Sequence, residues 1–230
     1  MAYLGREIWL FLTDEGRPGA LYSVSGRSPP SRQRKAVYYP EERRVAIEPL
    51  DKSQASDNLR HYNAMKFNNH FLAVSNGSHT EDMLDSCFCN YAIGDIPTKM
   101  RMHLNKWKPE PDSLKTPRIA GIVKYPRFYT VGMITEDDNA KSITVYPTRG
   151  TAYGISTYSG EGTEPKSFDI NKLLTQDLLP NVRVEGESPK DIAEFFVSNV
   201  IDPEFFVCCS AVIWNEESEE WKLSILNKNG

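Results

Sequence analysis

Four stretches of this 230-residue chain concentrate groups that accept protons, donate them or hold charge. The densest runs from His61-Tyr62-Asn63-Ala64 through an Asn68-Asn69 turn to Ser75-Asn76-Gly77-Ser78-His79-Thr80. There a β-like run, Phe71-Leu72-Ala73-Val74, gives way to hydroxyl, amide and imidazole groups around one glycine. Glu81 and Asp82 follow in what reads as the first turn of a helix. Backbone N–H groups at such a start point outward and favour an anion or a polar ligand. A cap needs only one polar side chain, so this stretch is more polar than capping requires. A second cluster is Tyr22-Ser23-Val24-Ser25-Gly26-Arg27-Ser28-Pro29, followed by Arg32 and Arg34. Guanidinium groups bind phosphate bidentately, which suits this loop to clamping one. The third is Tyr3-Leu4-Gly5-Arg6, and the fourth is Glu110-Pro111-Asp112 with Thr116-Pro117-Arg118-Ile119-Ala120. Prolines stiffen a loop and can hold a carboxylate in place. Each cluster alone also fits a plainer reading: an edge strand, a solvated basic loop, a helix cap with an exposed His79, and an exposed carboxylate at Glu110.

Several chemistries find no support in the residue order. The chain has no G-x-x-x-x-G-K-[ST] phosphate loop, no G-x-G-x-x-G fingerprint, no H-E-x-x-H and no G-x-S-x-G. Nor does it show Cys/His zinc spacing. The expectation is chemistry with neither metal nor cofactor. The four cysteines form two tight pairs, Cys87/Cys89 and Cys208/Cys209, without C-x-x-C spacing. They read as reduced structural thiols, and the compartment as cytoplasmic. Cys208 and Cys209 sit in an apolar run whose neighbours should point to opposite faces. A net charge of −4 argues against a general nucleic-acid or membrane binder. The start, Met1-Ala2-Tyr3-Leu4-Gly5-Arg6, does not read as a signal peptide. No apolar run approaches the roughly 18 residues that span a bilayer.

The elements that must position these clusters are mainly β. Strands are expected at Tyr3–Leu12, Ala20–Ser25, Ala36–Tyr39, Arg43–Glu48, Tyr62–Phe67, Phe71–Ser75, Arg118–Lys124, Phe128–Thr135, Ser142–Thr148, Ala152–Thr157, Phe205–Trp214 and Trp221–Leu226. Short turn-rich gaps favour antiparallel hairpins, with Asn68-Asn69 suited to a primed turn. Helices are expected at Thr80–Ala92, Pro97–Trp107 and Pro189–Val200. The last is clearest, with Ser188 as cap, Pro189 at the first position and a stripe of Ile192, Ala193, Phe196, Val197 and Val200. Gly160–Ser167 and Leu179–Ser188 read as loops. Strands in two batches with helices between them indicate a layered α+β architecture. At 40% apolar and 25% charged residues, a single domain over residues 1–230 is expected, with no internal repeat.

Taken together, the clusters resemble the archaeal-type IMP cyclohydrolase family. The matching residues are Tyr3-Leu4-Gly5-Arg6, Tyr22-Ser23-Val24-Ser25 with Arg27-Ser28, Tyr62-Asn63, Val74 to Thr80, Thr116-Pro117-Arg118-Ile119-Ala120, and Gly150-Thr151-Ala152-Tyr153 with Ile155-Ser156-Thr157-Tyr158. They occur in the family's order, and no quotable motif matches after about residue 160. The resemblance implies a four-layer αββα sandwich of antiparallel sheets, like that of N-terminal-nucleophile hydrolases. It also implies closure of 5-formamidoimidazole-4-carboxamide ribotide (FAICAR) to IMP with loss of water, the last step of purine synthesis, without a cofactor. Hydrolases of that fold use a Cys, Ser or Thr at the chain start. Met removal here would expose Ala2, which argues against that mechanism and against an amide hydrolase.

In ring closure the carboxamide nitrogen attacks the formyl carbon, and an oxyanion develops on the formyl oxygen. The family pattern sets Tyr62 as donor to that oxygen, Glu110 as acceptor or relay for the amide proton, and Arg27 as the group orienting the formyl or carboxamide. Arg6, Ser25, Ser28 and Arg32 become candidates for phosphate and ribose. Asn63, Asn76, Ser78, His79 and Arg118 complete the expected pocket. The proline-rich segment Lys108-Pro109-Glu110-Pro111-Asp112-Ser113 departs from the family, which leaves Asp112 as the alternative carboxylate. The same departure, with the unmatched final third, keeps open a non-catalytic purine-nucleotide-binding relative. The expected partners are the purine ribonucleotide and further copies of the chain, a tetramer among the possibilities, with no nucleic acid and no membrane.

Overall fold

The computed structural model of the chain describes residues 3–51, 53, 60–88, 95–160, 164–173 and 182–229. It is α+β, with two antiparallel sheets and few helices. The first sheet runs in the order β11 (Val182–Arg183), β10 (Thr151–Ser156), β1 (Arg6–Leu12), β2 (Pro18–Ser25), β12 (Phe206–Asn215) and β13 (Glu220–Asn227). The second runs in sequence order: β3 (Arg34–Tyr39), β4 (Arg44–Pro49), β5 (Tyr62–Phe67), β6 (Phe71–Ser75), β7 (Arg118–Lys124), β8 (Phe128–Ile134) and β9 (Lys141–Val145). The helices are α1 (Pro29–Arg32), α2 (Thr80–Phe88), α3 (Ile96–Trp107) and α4 (Pro189–Asn199). None of the described helices is long and apolar enough to cross a membrane.

Every strand expected from the residue pattern is present, and short β11 is added inside a segment expected to be loop. Residues 89–92, the end of the helix expected at Thr80–Ala92 and including Cys89, lie outside the described residues, as does Ala2. The turn at Asn68-Asn69 has three residues rather than two. His70 joins it because the Asn68 side-chain oxygen accepts from the backbone N–H groups of both His70 and Phe71, each at 2.9 Å. Asparagine thereby closes the loop with its own side chain. Helix α4 starts as its sequence demands: Ser188 accepts from Asp191 N at 3.1 Å while the Asp191 carboxylate accepts from Ser188 N.

Strand alternation partitions the chain into three cores. Ile8, Leu10, Tyr22 and Val24 of the first sheet meet Tyr62, Ala64, Val74 and Ile119 of the second in a core shared by both. On the opposite face of the first sheet, Trp9, Phe11 and Leu21 pack against Ile192, Ala193 and Phe196 of α4. On the opposite face of the second, Ala73, Ala120 and Ile122 pack against Met83 and Leu84 of α2 and Met100 and Leu104 of α3. Cys208 and Cys209, free and buried, fall into different cores, as alternation requires.

One residue breaks the apolar pattern of β1. Glu7 is buried on the α4 side, between Ser23 and Ser156 in the sheet register. Desolvation pushes its carboxyl up to about 7, against smaller opposing effects of the Trp9 indole, which donates to it at 3.2 Å, and of Ser23. An unfolded glutamate releases its proton near 4.5, so between pH 4.5 and about 7 the folded state binds the extra proton. Stability therefore falls as pH rises through that window, by about 3 kcal/mol in total. Glu7→Gln should abolish this loss. Urea unfolding at pH 5 and pH 8 measures it, and equal pH dependence in both proteins would contradict the assignment.

Candidate active site

The site sits at one end of the shared core, where β1 begins, β6 ends and β7 begins. Even-numbered residues of β1 face this core, so Arg6, the first residue of the strand, points in line with Ile8 and Leu10. Its Nη2 lies 2.6 and 2.7 Å from the two carboxylate oxygens of Glu110. Glu110 is 3% exposed. A third contact comes from Asn76, whose amide nitrogen lies 3.3 Å from Glu110 Oε1.

The surrounding motifs build this pair. Gly5 adopts φ +77°, and a Cβ there would fall 2.2 Å from Thr157 Oγ1 and 2.8 Å from the Tyr158 ring. Glycine thus lets the β10 exit close over the β1 entrance. Thr157 then accepts from Arg6 N at 3.1 Å and donates to Leu4 O. The loop before β7 is clasped by Asp112, whose carboxylate accepts from Thr116 N at 2.8 Å and Thr116 Oγ1 at 2.6 Å. Thr116 has one hydroxyl proton, now committed, so the Tyr158 hydroxyl 2.8 Å away donates to it. Glu110 N donates to Thr116 O at 2.9 Å, which fixes the carboxylate's backbone. Both Asp112 oxygens are occupied in the turn, whereas Glu110 faces the cations.

Two phenols complete the centre. Tyr62 of β5 and Tyr22 of β2 meet across the shared core, hydroxyl to hydroxyl at 2.6 Å, both buried. Burial pushes both phenols above their usual range, while the charges of Arg6 and Arg34 pull the other way. Arg34 is 3% exposed at the start of β3, its Nε donating to Ser31 O at 2.8 Å. Arg118 is 7% exposed, with its Nε on Lys108 O at 2.8 Å and its guanidinium 5.4 Å from the Trp107 ring centre. Desolvation lowers its affinity for a proton, and the charges of Glu110 and Asp112 restore part of it.

The remaining expected residues occupy other places. Asn63 follows Tyr62 on the strand and therefore points to the opposite face of the sheet, where Arg44 and Glu81 hold its amide at 2.8 and 3.0 Å. Ser78 is exposed in the turn before α2. His79 is fully buried, with Nε2 3.1 Å from Ile119 O. Only the donor tautomer suits a carbonyl, so Nδ1 carries no proton and is left without a partner. Desolvation, then the neighbouring Arg118, pulls this imidazole down to about 3, so it stays neutral. Asn76 is also fully committed: besides Glu110 it donates to Pro117 O at 2.8 Å and accepts from Ile119 N at 2.8 Å. Both residues brace the wall, where the sequence pointed to substrate contact. Ser25 is buried at the end of β2, its N–H on Gly5 O. Beyond it Arg27, Ser28 and Arg32 form the rim. The Arg27 guanidinium lies 4.6 Å over the Tyr3 ring, Ser28 caps α1, and Arg32 holds Gly26 O at 2.8 Å. Tyr3 in turn stacks on Tyr158 at 5.7 Å. Tyr22 and Arg34 were visible in the sequence only as members of a basic, aromatic stretch.

Away from this centre, a cleft of about 290 Å³ lies beside the β8–β9 turn and is lined by Thr135, Glu136, Asp137, Lys141 and Asp169 among others. It offers one ammonium group and no guanidinium, so the dense acid–base chemistry is at the Arg6–Glu110 centre.

The Arg6–Glu110 pair has a direct consequence for stability. Removing the cation leaves a buried carboxylate uncompensated, which costs about 3–5 kcal/mol. Glu110 already sits above the usual carboxylate range because burial outweighs Arg6. Without Arg6 it should rise further. Arg6→Gln should therefore be most destabilising in alkaline medium, less so as acid protonates Glu110, and largely rescued by adding Glu110→Gln. Denaturant titrations of the double-mutant cycle give the coupling, and independent, additive losses would refute it.

Known proteins resemble this chain over most of its length. The sequence model of the family described as IMP cyclohydrolase-like protein matches residues 3–218. An IMP cyclohydrolase of Methanococcus aeolicus is 30% identical over 212 residues, covering 90% of this chain and 93% of that protein. One from Methanocaldococcus jannaschii is 28% identical over 217 residues, covering 94% and 95%. Among solved structures, the Anbu (Gly-1) mutant from Hyphomicrobium sp. strain MC1 aligns over 98% of this chain and 88% of its own, with a TM-score of 0.40 and 12% identity. The chain belongs to the IMP cyclohydrolase-like protein family.

Proposed function

We propose that this chain is an IMP cyclohydrolase, closing FAICAR to IMP with release of water. The observation that carries the reading is a buried carboxylate–guanidinium pair beside a hydrogen-bonded pair of phenols. Ring closure needs a group to take the amide proton and a donor for the developing oxyanion. Glu110 serves as acceptor, held by Arg6 and Asn76. Tyr62 serves as donor, its phenol kept neutral at ordinary pH by burial. The amide is a poor nucleophile, so fixing it against the formyl carbon supplies a large share of the acceleration, up to about 7–11 kcal/mol in favourable cases. Arg32 and Ser28 on the rim are assigned to the phosphate and ribose end, and Arg27, expected to orient the formyl or carboxamide, is reassigned there with them because it stands on the same rim over Tyr3; Arg6, engaged by Glu110, is reassigned to the reacting end. Arg34 and Arg118 add positive charge around a substrate that carries a phosphate dianion.

The same reading treats residues 1–230 as one domain and the three cores as a four-layer αββα sandwich. Helix α4 covering one sheet and α2 with α3 covering the other support that arrangement. It also includes assembly into a homo-oligomer in the cytoplasm.

An absorbance assay for IMP formation from FAICAR tests the function. Turnover is expected from the purified protein, and no turnover at micromolar enzyme overturns it. Binding of IMP by calorimetry without turnover would instead favour a non-catalytic nucleotide-binding relative. Tyr62→Phe should lower kcat by about 100-fold or more while leaving AICAR affinity within about threefold.

A further inference from the structure

The phenol pair poses a question of proton direction. Each hydroxyl has one proton. If Tyr62 spends its proton on Tyr22, it has none for the substrate. We infer that Tyr22 is a positioning residue: its hydroxyl donates to the Tyr62 oxygen and leaves the single Tyr62 proton free to point at the developing oxyanion. The inference rests on the cyclohydrolase reading of this site.

Three observations carry it. The oxygen–oxygen distance is 2.6 Å, at the short end for neutral hydroxyls, and both rings are buried among strands of two sheets, so neither can swing away. Tyr22 stands on β2 between β1 and β12, among the best-tethered positions in the first sheet. The charged groups around the pair are asymmetric. Arg6 from β1 and Arg34 from β3 lower both phenols, while Glu110 from the loop before β7 raises Tyr62 alone and so helps it keep its proton until the oxyanion develops. Their shared hydrogen bond lowers the Tyr62 phenol and raises that of Tyr22, which is the sense expected when Tyr22 donates to a phenolate at Tyr62. The same bond would stabilise negative charge left on Tyr62 whenever its proton moves toward the formyl oxygen.

The test combines kinetics with a titration that needs no turnover. Tyr22→Phe should lower kcat by about 10- to 100-fold, the usual weight of one hydrogen bond to a charged group. The KM for FAICAR should stay within about threefold. In parallel, a difluorotyrosine placed at position 62 should ionise, by its ultraviolet absorbance, at higher pH in the Tyr22→Phe background. An unchanged ionisation at position 62, or a fall in kcat matched by an equal loss of IMP affinity, would overturn the role. If the unmodified protein turns over no FAICAR yet the ionisation shifts, the hydrogen-bond direction stands and the cyclohydrolase reading falls.

Discussion

The buried contact between Arg6 and Glu110 sets the terms for everything around it. Two charges removed from water are costly, and their mutual attraction repays that cost only when the geometry is tight and other hydrogen bonds share the load. The chain supplies the tight geometry and the carboxylate's further hydrogen bond with parts from distant places, while the buried Arg6 Nε is left without a partner. Gly5 lets β10 close on β1, Thr157 fixes the Arg6 backbone, and Asp112 with Thr116 fixes that of Glu110. Asn76 then bridges the carboxylate to the start of β7. The motifs that looked separate along the chain are the successive layers of one clasp.

The clasp explains why so much polar sequence serves structure. The turn from Ser75 to Thr80 looked like an anion site at a helix start. In the fold Ser75 and Thr80 bind each other, Thr80 also holds Asn63 O, and His79 is spent on Ile119 O. A Cβ at Gly77 would sit 2.5 Å from Arg118 Nη1, so any side chain there would push that guanidinium aside. These groups shape the wall behind Glu110. A buried neutral imidazole beside Arg118 adds no further positive charge to a region that already holds several guanidinium groups.

The strands were legible because period-two patterns and short turns leave few alternatives, and α4 because its cap, proline and apolar stripe all agree. The site was legible only in part. Tyr62 and Glu110 could be named from motifs, yet Asn63, one residue from Tyr62, was grouped with it although alternation sends it to the other face. The strand assignment alone already carries that geometry. Tyr22 and Arg34 were not separable from their neighbours, because Tyr22 of β2 meets Tyr62 of β5 across the two sheets and Arg34 acts on both phenols, long-range relations without a local signature. The role of Arg6 had the same origin: nothing near residue 6 announces a carboxylate at residue 110.

The chain's net charge of −4 says little about this centre. Arg6 and Arg118 act on the buried carboxylate of Glu110 and Arg34 on the phenols beside it, with Arg27 and Arg32 at the rim. Such a local excess of positive charge suits an anionic nucleotide. It also keeps neutral phenols poised, since cations lower the cost of negative charge on Tyr62 while burial keeps the proton in place. The opposing influences of desolvation and guanidinium charge allow a tyrosine to donate to an oxyanion without losing its proton beforehand. That balance is a property of the two sheets meeting, and neither sheet's residues would produce it alone.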